Sequence, residues 1–85
     1  LLDGDISIQT NQVLDNIKSL LAGMGLGMDA IVKNTVWLTD ADDFPAFNQA
    51  YAEYFAERPP ARATVRCDLL LPGARIEIEA LAIKQ

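Results

Sequence analysis

In the 85-residue chain, the side chains best suited to chemistry stand on two short stretches, Pro60-Ala61-Arg62-Ala63-Thr64-Val65 and Ile76-Glu77-Ile78-Glu79-Ala80. If the first is a strand, alternation turns Arg62, Thr64 and Arg66 to one side. An arginine fork held on a strand can grip a carboxylate through two parallel hydrogen bonds, and it never loses its charge. The plainer reading of Arg62 is a solvated or ion-paired surface residue. Glu77 and Glu79 share one face of the second stretch, flanked by Arg75. A carboxylate there can act as a general base that orients a water. The plainer reading is the polar side of a half-buried strand, or a partner for Arg62 or Arg66.

Other candidates carry less. The sequence contains no histidine, which removes His-based triads, His-ligated zinc and His general bases. Cys67 therefore has nothing to activate it and is expected to be a buried spectator thiol. Asp40, Asp42 and Asp43 lack the glycine and distal glutamate of a calcium loop and read as a helix cap. Gly23, Gly25 and Gly27 follow a helix instead of a strand, so no phosphate cradle is expected. On residue patterns alone the function stays undecided.

The elements that must position these residues alternate between helix and strand. From Asp5, the apolar residues Ile6, Val13, Leu14, Ile17, Leu20 and Leu21 recur at helical spacing, with Asp5 or Asp3 as cap and Gly25 as stop. Ile31 to Leu38 is rich in β-branched residues and reads as a strand. Pro45 fits a first helical turn, and Phe44, Phe47, Tyr51, Tyr54 and Phe55 form one aromatic stripe down a second helix ended by Pro59-Pro60. That stripe reads as core, not as a stacking platform for bases. Ala61 to Cys67 and Arg75 to Ile83 complete the chain as strands. The expected fold is α+β: a two-layer sandwich of a mixed β-sheet with two helices on one face.

Composition narrows the partners. Seven Lys plus Arg against twelve Asp plus Glu give a formal charge of -5, so nucleic acid is not expected as a partner. The apolar runs fall short of the roughly 18 residues a membrane span needs, so no membrane partner is expected either. A single cysteine fits a reducing compartment, and a cytoplasmic protein is expected. Leu69, Leu70 and Leu71 in a connection, and apolar residues on both faces of the last strand, fit poorly with a monomer. Symmetric self-association accounts for them.

The chain resembles the second part of the Rid family, the reactive enamine/imine deaminases also called YjgF or endoribonuclease L-PSP proteins. The resemblance rests on Gln9-Thr10 with Asn16-Ile17-Lys18, on Ile31 through Asp40, on Asp43-Phe44, Asn48, Tyr51 and Phe55, and above all on the two stretches first quoted. It implies a single Rid-like domain over residues 1–85, matching the C-terminal two thirds of a longer chain; the family's opening hairpin has no counterpart. It also implies a homotrimer of chorismate-mutase-like architecture with pockets between adjacent subunits. The implied activity is hydrolysis of 2-aminoacrylate-type enamines and imines to 2-keto acids and ammonia, with neither cofactor nor metal. Arg62 matches the residue that holds the substrate carboxylate, Glu77 the one that orients the attacking water, and Asn48 a residue near the pocket. Thr64 stands where many members have cysteine and is a further substrate contact.

The alternative expectation is a non-catalytic trimeric module that binds small carboxylates or regulates a partner. A third, RNA cleavage or inhibition of translation, belongs to older family labels and is disfavoured by the acidic balance and the missing histidine.

Overall fold

The computed structural model describes residues 5–84, so Asp3, the alternative cap, lies outside them. Helix α1 spans Ile6–Gly23, strand β1 Ile31–Leu38, helix α2 Phe44–Ala52, strand β2 Ala61–Arg66 and strand β3 Ile76–Ala82. Short 3₁₀ turns at Met28–Ala30 and Ala41–Asp43 lead into β1 and α2.

The ends of α1 are set by side-chain and backbone bonds. The Asp5 carboxylate accepts from the Ile8 amide at 2.9 Å, a cap whose removal costs about 1 kcal/mol. At the other end the Leu26 amide donates to Leu21 O and the Gly25 amide to Ala22 O, with Gly25 at φ 75. This is a Schellman stop: glycine adopts the left-handed conformation, while Leu21 and Leu26 both face the core.

Helix α2 is shorter than the aromatic stripe predicts. It stops at Ala52, and the Tyr54 and Phe55 amides donate to Tyr51 O and Ala52 O in tight turns. The last turn tightens because i→i−3 bonds replace the α-helical ladder, well ahead of the proline pair. Pro59-Pro60 leads instead into β2. Phe47, Tyr51 and Phe55 are buried as expected, while Phe44 and Tyr54 are only partly covered.

The sheet order is β2-β1-β3, with β1 parallel to β2 and antiparallel to β3. The two helices cover one face, giving the α+β two-layer architecture expected. Ile6, Leu14 and Leu21 of α1, the aromatics of α2, Val36 and Leu38 of β1 and Ile76 of β3 form the core between the layers. The register identifies the other face. Lys33, Thr35 and Trp37 of β1 align with Ala61, Ala63 and Val65 of β2, and with Leu81, Glu79 and Glu77 of β3, with no helix over them. Leu81 and Ile83 at this side, and Leu70 and Leu71 in the β2–β3 connection, are exposed.

That connection is tied down from a distance. Gln9, 1% exposed, donates its amide to Gly73 O at 3.0 Å and accepts from the Arg75 backbone at 2.8 Å. The Arg75 guanidinium grips the Asp43 carboxylate in a two-pronged pair at 2.6 and 3.0 Å. Among the described residues, no helix is long and apolar enough to cross a membrane.

Candidate functional site

Strand β2 is an edge strand, and its parallel pairing decides where its side chains go. Arg62 aligns with Asn34, Thr64 with Val36 and Arg66 with Leu38, all on the helix-covered side. Arg62 therefore leans over α2. Its Nη1 donates to the Asn48 Oδ1 at 2.7 Å, and its guanidinium carbon lies 5.6, 5.4 and 4.9 Å from the ring centroids of Phe44, Phe47 and Tyr51. Such cation–π seats stabilise by about 0.5–1 kcal/mol each when exposed, and here they restrict where the fork can point. No carboxylate pairs with Arg62 among the described residues. Of the plainer reading, the ion pair is missing among the described residues while the exposed, solvated surface position holds: Arg62 is exposed, and its hydrogen-bond partner is a neutral amide.

The seat itself is braced from below. Asn34 is fully buried and donates through Nδ2 to the Tyr51 hydroxyl at 2.9 Å, while its Oδ1 has no partner. The Thr64 hydroxyl is also buried without a partner. Buried polar groups left unsatisfied cost about 1–3 kcal/mol each. Arg62 forms part of the wall of two hollows. One, about 490 Å³, is lined by Leu38, Phe44, Thr64 and Arg66; the other, about 660 Å³, by Asn48, Tyr51, Phe55 and Pro60.

Arg62, Thr64 and Asn48 come together, then, but Glu77 does not join them within one chain. It aligns with Trp37 on the helix-free face, with Glu79 beside Thr35, so the sheet separates both carboxylates from Arg62 and Arg66. The expectation that Glu77 or Glu79 pairs with either arginine fails for this reason. Cys67 is exposed, not buried: it lies one residue past the end of β2, held only through its amide to Leu38 O. Asp40 caps the 3₁₀ turn by accepting from the Asp42 amide at 2.9 Å, as the sequence suggests. Among the described residues, no three His, Cys, Asp or Glu side chains gather where they could hold a metal ion.

A second polar cluster lies at the far end of α2. The Tyr54 hydroxyl sits 2.8 Å from the Asp15 Oδ1 and 3.2 Å from Asn11 O. Partial burial, the bond to Asp15 and the negative charges of Asp15 and Glu53 push this phenol up to about 12. Sequence reasoning missed the bracing role of Asn34 and Tyr51. The stripe that marked Tyr51 as core gave no sign that the parallel register brings Arg62 over it.

A family model described as Endoribonuclease L-PSP matches residues 1–84. A RutC family protein of Pyrococcus horikoshii is 46% identical over 85 residues, covering 100% of this chain and 68% of that protein. The 3-aminoacrylate deaminase RutC of Acinetobacter baylyi is 44% identical over 79 residues, covering 93% of this chain and 63% of that protein. The crystal structure of the YjgF gene product of E. coli matches with a TM-score of 0.90 at 37% identity, over 98% of this chain and 66% of that one. The chain spans about two thirds of the length of these relatives.

Proposed function

Because the chain belongs to the endoribonuclease L-PSP family, we propose that it is a cofactor-independent deaminase hydrolysing 2-aminoacrylate-type enamines and imines to 2-keto acids and ammonia. The observation that carries this is Arg62: a guanidinium with no ion-pair partner among the described residues, seated on three rings and one amide, beside a Thr64 hydroxyl that has no partner among them either. A relative named as a 3-aminoacrylate deaminase supports the reaction class.

The chemistry asks for little. The enamine tautomerises to an imine, whose C2 is electrophilic. Arg62 binds the carboxylate through its free N–H groups, with Asn48 and the aromatic rings holding the fork and Thr64 donating to a substrate oxygen. A water adds through its oxygen to C2 and gives its proton to a carboxylate base, while the imine nitrogen gains a proton. The carbinolamine then expels ammonia and leaves the ketone. Positioning lowers the barrier by several kcal/mol, and one acid/base group adds roughly 10²–10⁴-fold. Glu77 is the base in this reading. Since Glu77 and Arg62 lie on opposite faces of one sheet, the active unit brings Glu77 of a second copy to Arg62 of the first. A homotrimer in which the helix-free face of one copy meets the β2 edge of the next supplies such a pairing and covers Leu81 and Ile83. The absence of a carboxylate beside Arg62 among the described residues of one chain favours the second reading, a non-catalytic trimeric module that binds small carboxylates through Arg62 without turnover.

Ammonia release from freshly generated 2-aminoacrylate tests the proposal. Arg62→Ala and Glu77→Gln should each lower kcat/KM by about 100-fold or more. Rates equal to wild type in Arg62→Ala would overturn the deaminase reading; loss in Arg62→Ala alone, with Glu77→Gln unchanged, would remove Glu77 as the base.

A further inference from the structure

The helix-covered side of β2 holds a second guanidinium that the deaminase reading leaves unused. Arg66 aligns with Leu38, Arg62 with Asn34, and Thr64 lies between them. Residues two apart on one strand face are rooted about 6.6 Å from each other, so Arg62 and Arg66, four apart, are rooted about 13 Å apart and reach a common ligand only by bending their long side chains towards Thr64. Arg66 has no ion-pair partner among the described residues, although the chain carries twelve acidic side chains against seven basic ones. Both arginines and Thr64 line the same hollow of about 490 Å³, a size within the range of small-molecule sites. Leu38 and the partly exposed Phe44 ring give that hollow an apolar floor.

Two cations without an ion-pair partner among the described residues, on one wall of a hollow, favour an anion there. The Thr64 hydroxyl between them is buried and has no hydrogen-bond partner among the described residues, so an acceptor placed there would satisfy it. The geometry points to Arg66 as a specificity-determining residue for a second carboxylate, making the substrate class 2-imino and 2-enamino dicarboxylic acids of four or five carbons. Resting on the deaminase reading, the assignment puts the C1 carboxylate on Arg62, the distal carboxylate on Arg66, an oxygen on the Thr64 hydroxyl, and the connecting carbons over Phe44 and Leu38.

Calorimetric titration of the full chain with pyruvate and with 2-oxoglutarate, the mono- and dicarboxylate product types, tests it. Wild type should bind 2-oxoglutarate about tenfold more tightly than pyruvate, the discrimination that about 1.4 kcal/mol supplies. In Arg66→Ala the ratio should fall to about one, and in Arg66→Glu it should invert, because a carboxylate now faces the distal group. A wild-type ratio near one, or a tenfold ratio that survives in Arg66→Ala, overturns the inference. Arg62→Ala separates this failure from that of the underlying reading. If pyruvate binding depends on Arg62 but wild type shows no dicarboxylate preference, only the role of Arg66 falls. Pyruvate binding indifferent to Arg62→Ala, or no saturable binding of either acid, overturns both.

Discussion

Arg62 and Arg75 each stand at the entrance of a strand on the helix-covered layer, and the chain treats them in opposite ways. Arg75 is closed off: its fork is spent on Asp43, whose side chain is 9% exposed, and its own backbone amide is held by Gln9. Arg62 is held just as firmly but by groups that leave its charge unanswered, the Asn48 oxygen and the faces of Phe44, Phe47 and Tyr51. A charge neutralised within the fold stabilises it. A charge positioned and left unneutralised is available to something outside the fold.

The strongest test of that contrast removes the closed arginine. Arg75→Ala should destabilise the chain by about 2 kcal/mol in urea unfolding, below the roughly 3–5 of a fully buried broken pair because the Arg75 side chain is 41% exposed. Pyruvate affinity should stay within about twofold of wild type, since Arg75 touches neither hollow. A large loss of affinity with unchanged stability would erase the distinction between the two arginines. Next in size is the brace. Tyr51→Phe keeps the ring beneath Arg62 but strips the buried Asn34 of its acceptor, and should cost about 1 kcal/mol in the same measurement. A cost near zero would show that Asn34 needs no such partner.

The smallest effect concerns a contact in which a neutral group meets a carboxylate. Tyr54 is pushed up to about 12 by partial burial, its bond to Asp15 and the charges of Asp15 and Glu53. The native state therefore keeps the phenolic proton at pH values where the unfolded chain, with a value near 10, has lost it. This contribution is complete below about pH 10 and declines as pH rises towards 12. Ultraviolet titration should show one phenol ionising late, absent in Tyr54→Phe, and the urea midpoint of wild type relative to that variant should fall across the same window. A Tyr54 phenol that ionises near 10 would contradict it.

Much of the layout was legible in the sequence because its signals are local. Asp5, Gly25 and the β-branched run from Ile31 to Leu38 each act within a few residues, and the elements fall where they say. The second helix ends early because an apolar stripe reports which residues are buried, and Tyr54 and Phe55 remain against the core from turns as well as from a helix. Alternation correctly grouped Arg62 with Thr64 and Arg66, and Glu77 with Glu79. It could not say that the two groups lie on opposite faces, because that depends on how β2 and β3 register against β1. The Asp43–Arg75 pair spans 32 positions and leaves no periodic trace at all. Cys67 misled because cysteine is so often interior, whereas here the strand has already ended.

Gln9 also bears on how the molecule assembles in time. The amide of Gln9 in α1 bonds to groups 64 and 66 positions later, at Gly73 and Arg75. These two bonds form only when residues 9 to 75 have been closed into a loop. Long-range closure of this kind delays the gain in enthalpy until most of the backbone entropy has been lost, and it slows folding relative to helical proteins of equal length. Helix α1 accordingly stays unlocked from the β2–β3 connection until that loop has closed.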